Sequence, residues 1–260
     1  MTRLTARAAL LAAAFAAPAA APLAAEDAET PDPVALVRAS AEFLAGQAAF
    51  SFGWFAMDEE VPGGREKITH LGSGDHLFRR DTGFVARVER ETERRDCYYD
   101  GRAFTVAAPE EGFYATVAYD GGLDSLIEGV REKTGTDIPF YALMMSNLPE
   151  LMTADLASSA YVGLTRIAGR EVHHLAFSDD GQDWQIWIAA DEAAPLPLMI
   201  QTVDPYTQGW PTLTVHLLDW DLAPEAAPEA FAFVPAEGDT AAAFPRLLGA
   251  EADGAAPAAD

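Results

Sequence analysis

The hydrophobic positions of this chain change period several times, and each change marks an element. Val34, Val37, Ala41 and Leu44 recur at helical spacing behind Asp32, a good N-cap, and Pro33, which suits the first helical turn; Gly46 stops the run. From Phe50 the period becomes two, with Phe50, Phe52, Trp54 and Ala56 on one face, as a half-buried strand requires. Pro62-Gly63-Gly64 marks a turn. Strands are predicted over His76–Arg79, Phe84–Arg90 and Arg94–Tyr99; Asp100-Gly101 reads as a tight hairpin, with a returning strand at Ala103–Ala107 and another at Phe113–Ala118.

The rhythm then turns helical again. Leu123, Leu126, Ile127 and Val130 share one face of a helix, and a second apolar helix is predicted from Pro139 through Met145, continuing loosely toward Met152. Strands resume at Tyr161–Ile167, Glu171–Ser178, Asp183–Ile188, Leu198–Val203 and Thr212–Asp221, with turns at Gly169 and Asp180-Gly181. Short strands at near-regular spacing describe an antiparallel meander curling into a barrel-like sheet, and two apolar helices midway are placed to plug or cover its open side.

The ends lie outside this pattern. Arg3 and Arg7, the apolar run Ala8 to Ala17, Pro18 and small residues have the order of a cleavable secretion signal over 1–25, too short for a bilayer span. Cleavage after Ala25 is favoured, since a cut after Ala21 would leave Pro22 just beyond it. No cysteine follows to take a lipid anchor, so an exported bacterial protein of the periplasm is expected, not membrane-spanning and not lipid-anchored. A single domain is expected over 32–247, and residues 249–260, without a bulky apolar group, read as a disordered acidic tail.

Composition narrows the partners. A formal charge of −24 repels polyanions and makes nucleic acid a poor partner. Arg79, Arg80, Arg87, Arg90, Arg94 and Arg95 form a local exception, but the interleaved Asp81, Glu89, Glu91 and Glu93 suggest a solvated, cross-paired strand face. The single cysteine, Cys97, reads as a buried small hydrophobe.

Candidate chemistry is sparse. His173-His174 with Asp179, Asp180 and Asp183 is the best metal or acid–base group, yet adjacent strand histidines point to opposite faces, and Asp179-Asp180-Gly181 is what a hairpin turn needs. No nucleophile elbow, zinc-protease pair or phosphate loop is present in the sequence, so neither enzyme, metal site nor cofactor is expected. On the 183–188 strand, Trp184, Ile186 and Ile188 share a face and Trp187 takes the other, so both faces are predicted to be covered.

The run Tyr161-Val162-Gly163, Gly169, His173-His174-Leu175-Ala176-Phe177 and Asp183-Trp184-Gln185-Ile186-Trp187-Ile188 resembles the periplasmic family called domain of unknown function 2092. Pro195-Leu196-Pro197, Trp220, Pro224, Phe231 and Phe233 before Pro235, with Tyr98-Tyr99-Asp100-Gly101 and Tyr114-Ala115-Thr116 upstream, extend the resemblance over roughly 32 to 240. That family is similar to the LolA/LolB lipoprotein-carrier superfamily, which implies a mainly β (α+β) fold: an incomplete antiparallel β-barrel with a helical lid over a hydrophobic cavity. Arg80-Asp81 and Pro197-Leu198 depart from the family's pattern, so no carrier-specific arginine is transferred.

Two readings follow. In the first, the half-barrel holds an acyl chain or another apolar small molecule or lipid beneath the helices, and the candidate cavity or lid residues are Phe52, Trp54, Leu126, Ile127, Val130, Leu143, Met144, Met145, Trp184 and Ile186. In the second, the same fold is an envelope sensor or interaction module whose partner is an envelope protein.

Overall fold

The computed structural model describes residues 30–134 and 139–243; the secretion signal and acidic tail predicted at the ends lie outside them. The first helix, α1 (Pro33–Ala45), starts as the sequence requires, with Asp32 Oδ1 accepting from Val34 N at 2.9 Å. It buries Val37, Ala41 and Leu44. Two antiparallel meanders follow. The first comprises β1 (Ala49–Glu60), β2 (Ile68–Arg79), β3 (Gly83–Arg90), β4 (Glu93–Tyr99), β5 (Ala103–Ala108) and β6 (Phe113–Ala118). The second comprises β7 (Ser158–Ile167), β8 (Arg170–Ser178), β9 (Asp183–Ala189), β10 (Pro197–Val203) and β11 (Thr212–Asp221). Pairing of β1 with β11 joins them, and a two-residue β12 (Thr240–Ala241) adds to β6 in parallel. The resulting twelve-stranded sheet runs β12-β6-β5-β4-β3-β2-β1-β11-β10-β9-β8-β7 and is not closed: β7 and β12 are its two edges. It is the open, mainly antiparallel barrel with helical cover that the family resemblance implies.

Cross-strand register explains the inner face. Phe50 pairs with Phe78 and Phe78 with Phe84, Phe52 with His76 and His76 with Ala86, Trp54 with Gly74 and Gly74 with Val88. All of these side chains therefore project the same way. Ala56, Val215 and Leu217 continue this face across β1 and β11. In β3, Val85 on the opposite face is fully buried as well, because the C-terminal segment crosses behind the sheet: the 3-10 turn Pro228–Phe231 buries Phe231, and the ring of Phe233 packs on Tyr98 and Tyr114.

Between the meanders the chain covers the inner face. α2 (Leu123–Thr134) buries Leu126 and Val130, as the helical pattern predicts. The second helix differs from the sequence reading. Instead of a continuous helix from Pro139 toward Met152, the chain makes a 3-10 turn at Tyr141–Met144, extends at Met145 and forms the short α3 (Leu148–Thr153). Pro149 in the first turn of α3 removes a donor that a continuous helix through Met145 would need. Likewise β2 begins at Ile68, eight residues before the predicted start, because the polar positions Thr69, His70, Ser73 and Asp75 hide its alternation although each is paired with β1.

Candidate functional site

The candidate residues divide between two packed regions. Phe52, Trp54, Leu126, Val130, Leu143 and Met144 belong to the large core beneath α2 and the 3-10 turn. Trp184 and Ile186 belong to a second cluster with Val37, Leu175, Phe177 and Ile188, beneath α1. Met145 is half-buried, and the side chain of Ile127 lies outside the described residues. Only a void of about 20 Å³ separates α1 and the 3-10 turn from Ile186 and Ile200, less than one methylene-rich chain needs. The opposite face of β9 is covered differently: Trp187 stacks on His174 at 4.2 Å, and His174 Nε2, Gln185, Gln201 and Thr214 form a side-chain ladder across β8 to β11.

The open space lies at one end of the first region. A cleft of about 610 Å³ is floored by Trp54, Ala56, Gly72, Val88, Leu213 and Val215 and roofed by Pro139 and Phe140. The charged and titratable residues that line it, Asp58, His70, Arg90, Glu91 and Glu93, are exposed or half-buried and form its lip, Asp58 directly across from Leu213 and Arg90 directly across from Gly72. A larger depression of about 700 Å³ between Ala45–Ala49, Arg79–Asp81 and Pro224–Ala226 contains none of the candidate residues and is lined mostly by backbone, small and charged groups.

The floor owes its shape to two glycines. A Cβ on Gly74 would stand 2.8 Å from Trp54 Cζ2, and one on Gly72 3.4 Å from Trp54 Cζ3, so the indole lies flat over β2 where side chains would otherwise stand. The roof is set by Phe140, whose left-handed backbone (φ 52) is uncommon for a bulky residue. Its ring meets Trp54 at 5.1 Å, His76 at 5.3 Å and Phe52 at 6.0 Å. His76 is buried, stacked on Phe52 at 4.9 Å, and its Nε2–H donates to the Pro139 carbonyl at 3.1 Å. Burial pushes its pKa down to about 4, only partly offset by the Pro139 carbonyl and Asp75, so the ring is neutral at pH 7. Among the described residues, Trp54 Nε1 and His76 Nδ1 have no hydrogen-bond partner here.

The lip is organised by His70, with Nδ1 3.2 Å from Glu91 and Nε2 3.3 Å from Glu60; these carboxylates, Glu91 first, raise its pKa, and His70 in turn lowers that of Glu91. The arginine stretch is largely cross-paired, as its alternation with acids predicts. Arg87 pairs with Asp75, Arg94 with Asp96, Arg95 with Glu93 and Glu111, and Arg79 with Asp81. Arg80 donates to the carbonyls of Gln47 and Met144 and covers the Phe78 ring, and Arg90 stands exposed at the cleft lip.

The histidine pair is split between faces. His173 Nδ1 meets the Tyr161 hydroxyl at 3.1 Å on one side of β8, and His174 meets Gln185 on the other. Asp179 Oδ1 accepts from Gly181 N and Gln182 N, shaping the turn. Among the described residues no three His, Cys, Asp or Glu side chains are grouped as metal ligands. Cys97 is buried, which pushes its thiol up to about 12 and out of thiolate chemistry. Sequence reasoning missed His76, Phe140 and the lip residues; only the two-residue period of Gly72, Gly74, His76 and Phe78 opposite β1 signalled that this histidine faces inward.

A family model described as predicted periplasmic protein (domain of unknown function 2092) matches residues 34–245. Among solved structures, LprF from Mycobacterium bovis is similar at 12% identity over 76% of this chain and 97% of its own, with a TM-score of 0.47. The LolA superfamily protein NE2245 from Nitrosomonas europaea is similar at 13% identity, covering 76% of this chain and 96% of its own, with a TM-score of 0.38. The Pseudomonas aeruginosa MucA/MucB complex contains a chain similar at 16% identity over 78% of this chain and 62% of its own, with a TM-score of 0.43. No curated protein matches the sequence. Among the described residues no helix is long and apolar enough to cross a membrane.

Proposed function

This chain belongs to the predicted periplasmic family of domain of unknown function 2092, and from that premise we propose that it is a non-enzymatic binding protein for an acyl chain or similar apolar ligand. The observation that carries the reading is the cleft beneath Phe140, whose floor is apolar and aromatic while its charge stands at the lip. Its volume, about 610 Å³, lies within the usual range for small-molecule sites. An apolar chain entering it removes its surface from water at about 25 cal/mol per Å². Sensor or docking activity through the arginine stretch draws less support, because those side chains are mostly committed to neighbouring acids.

The test is a titration with the neutral, apolar fluorophore N-phenyl-1-naphthylamine. Its emission is expected to rise and saturate at one probe per chain, and the rise is expected to be lost in Ala56→Trp, which fills the floor. No saturable signal, or one unchanged by Ala56→Trp, would overturn the reading.

A further inference from the structure

The two unpartnered polar atoms beneath Phe140 say what kind of apolar ligand the cleft suits. Trp54 is 6% exposed and His76 1% exposed, and among the described residues neither Trp54 Nε1 nor His76 Nδ1 reaches a hydrogen-bond partner. A buried donor or acceptor left unpaired costs about 1–3 kcal/mol, so two of them in one place require a reason. They are neighbours by register. Trp54 lies opposite Gly74 on β2, and His76 is the next residue of β2 on the same face. The Cζ2–Cε2 edge of the indole lies over Gly74, where an added Cβ would stand 2.8 Å from Cζ2 and 2.9 Å from Cε2, the atom bonded to Nε1. Both rings are covered by a single third ring, Phe140.

Their chemistry is complementary. Indole Nε1–H can only donate. His76 spends its Nε2–H on the Pro139 carbonyl, which fixes the tautomer and leaves Nδ1 as an acceptor. One unsatisfied donor beside one unsatisfied acceptor fits a group that both accepts and donates. A carboxylate supplies no proton to Nδ1, and burying its charge among Phe52, Trp54 and Phe140 is costly. Phe140, now over the pair, is the element able to yield, since its left-handed backbone costs of order 1–3 kcal/mol that a different conformation would recover.

Resting on the reading of the cleft as an apolar ligand site, we propose that its ligand is a neutral amphiphile with a hydroxyl or amide head, which takes the place of the Phe140 ring, accepts from Trp54 Nε1–H and donates to His76 Nδ1. The alkyl portion then lies along Ala56, Val88, Leu213 and Val215 toward the lip.

Three probes that share one decyl chain separate the terms: 1-decanol accepts and donates, 1-methoxydecane only accepts, and 1-chlorodecane makes neither bond to a useful degree. Each competes against N-phenyl-1-naphthylamine on the full chain, its Trp54→Phe variant and its His76→Phe variant. In the unmodified protein affinity is expected to fall about tenfold from alcohol to ether and about tenfold again from ether to chloride. Trp54→Phe keeps an aromatic floor and is expected to abolish the ether-to-chloride step. His76→Phe is expected to abolish the alcohol-to-ether step, and the Trp54→Phe result stands alone should that variant fail to fold. Equal binding of all three probes, or an unchanged order in Trp54→Phe, would overturn this inference while leaving the apolar cleft intact. Failure of every probe and of the naphthylamine to bind would overturn both.

Discussion

His76 on β2 and Pro139 at the roof of the cleft are joined by one hydrogen bond of 3.1 Å, from Nε2–H to the carbonyl oxygen. That bond ties the wall of the sheet to the segment that carries Phe140. It requires the imidazole to stay in one tautomer, and burial keeps the ring neutral.

Stability is therefore expected to depend on pH through His76. The unfolded ring takes up a proton near 6.5 and the folded ring only near 4. The unfolded state thus binds more protons between these values, and stability falls as pH drops from about 6.5 to about 4, by roughly 3 kcal/mol, and levels off below. His70 has the opposite sign, because its raised pKa contributes stability at low pH that is lost as pH rises through the folded value. Urea unfolding of the protein and of His76→Phe across this range isolates the term. The difference in stability between the two is expected to shrink as pH falls toward 4, and a constant difference would contradict it.

Gly72 and Gly74 look alike in the sequence but should respond differently to a methyl group. At Gly74 a Cβ would stand 1.9 Å from the Arg87 carbonyl oxygen and against the Trp54 ring, so strand or indole must move. At Gly72 the nearest atom is 3.4 Å away. Gly74→Ala is expected to cost about 2–3 kcal/mol and Gly72→Ala less than about 1 kcal/mol in denaturant unfolding. Similar losses at both would mean that the indole does not rest on β2 as described.

Arg80 is the cation the sequence grouped with a solvated face, and the structure gives it a different task. It bonds the carbonyls of Gln47, after α1, and Met144, in the 3-10 turn, while its guanidinium covers Phe78. Lysine cannot make both contacts with one point charge. Arg80→Lys is expected to lose about 1–2 kcal/mol, nearly as much as Arg80→Met, which keeps the stem. A lysine variant as stable as the original protein would show that charge alone matters here.

The fold was legible where period and turn chemistry agreed. Asp32 and Pro33 start α1, Phe50 to Ala56 alternate along β1, and Thr212–Asp221 and Phe113–Ala118 appear with their predicted bounds. It was less legible where tertiary packing overrode local pattern. The early half of β2 is polar and is a strand because β1 offers it twelve residues of register. The Met144-Met145 run reads as helix, yet Phe140 adopts a left-handed backbone that no propensity would choose, and the chain becomes a 3-10 turn, an extended residue and α3. The inward placement of Phe52 and Trp54 followed from strand phase, as did the separation of His173 from His174. The division of Trp184 and Ile186 into a cluster under α1 did not, because it depends on which helix crosses which half of the sheet, a long-range choice that neighbouring residues do not encode. The cleft lip was hidden for a similar reason: Asp58 and His70 come from β1 and β2 and Glu91 from the turn between β3 and β4, and they meet only through strand pairing.

The central claim, that the cleft beneath Phe140 receives an apolar chain, is tested most directly by photolabelling with a decyl alcohol carrying a diazirine at mid-chain, followed by peptide mass spectrometry. Adducts are expected on residues 54–58, 88, 139–140 and 213–215, and excess 1-decanol is expected to suppress them. Adducts confined to exposed aromatic turns such as Tyr206 and Trp210, or spread over the surface and insensitive to competitor, would contradict it.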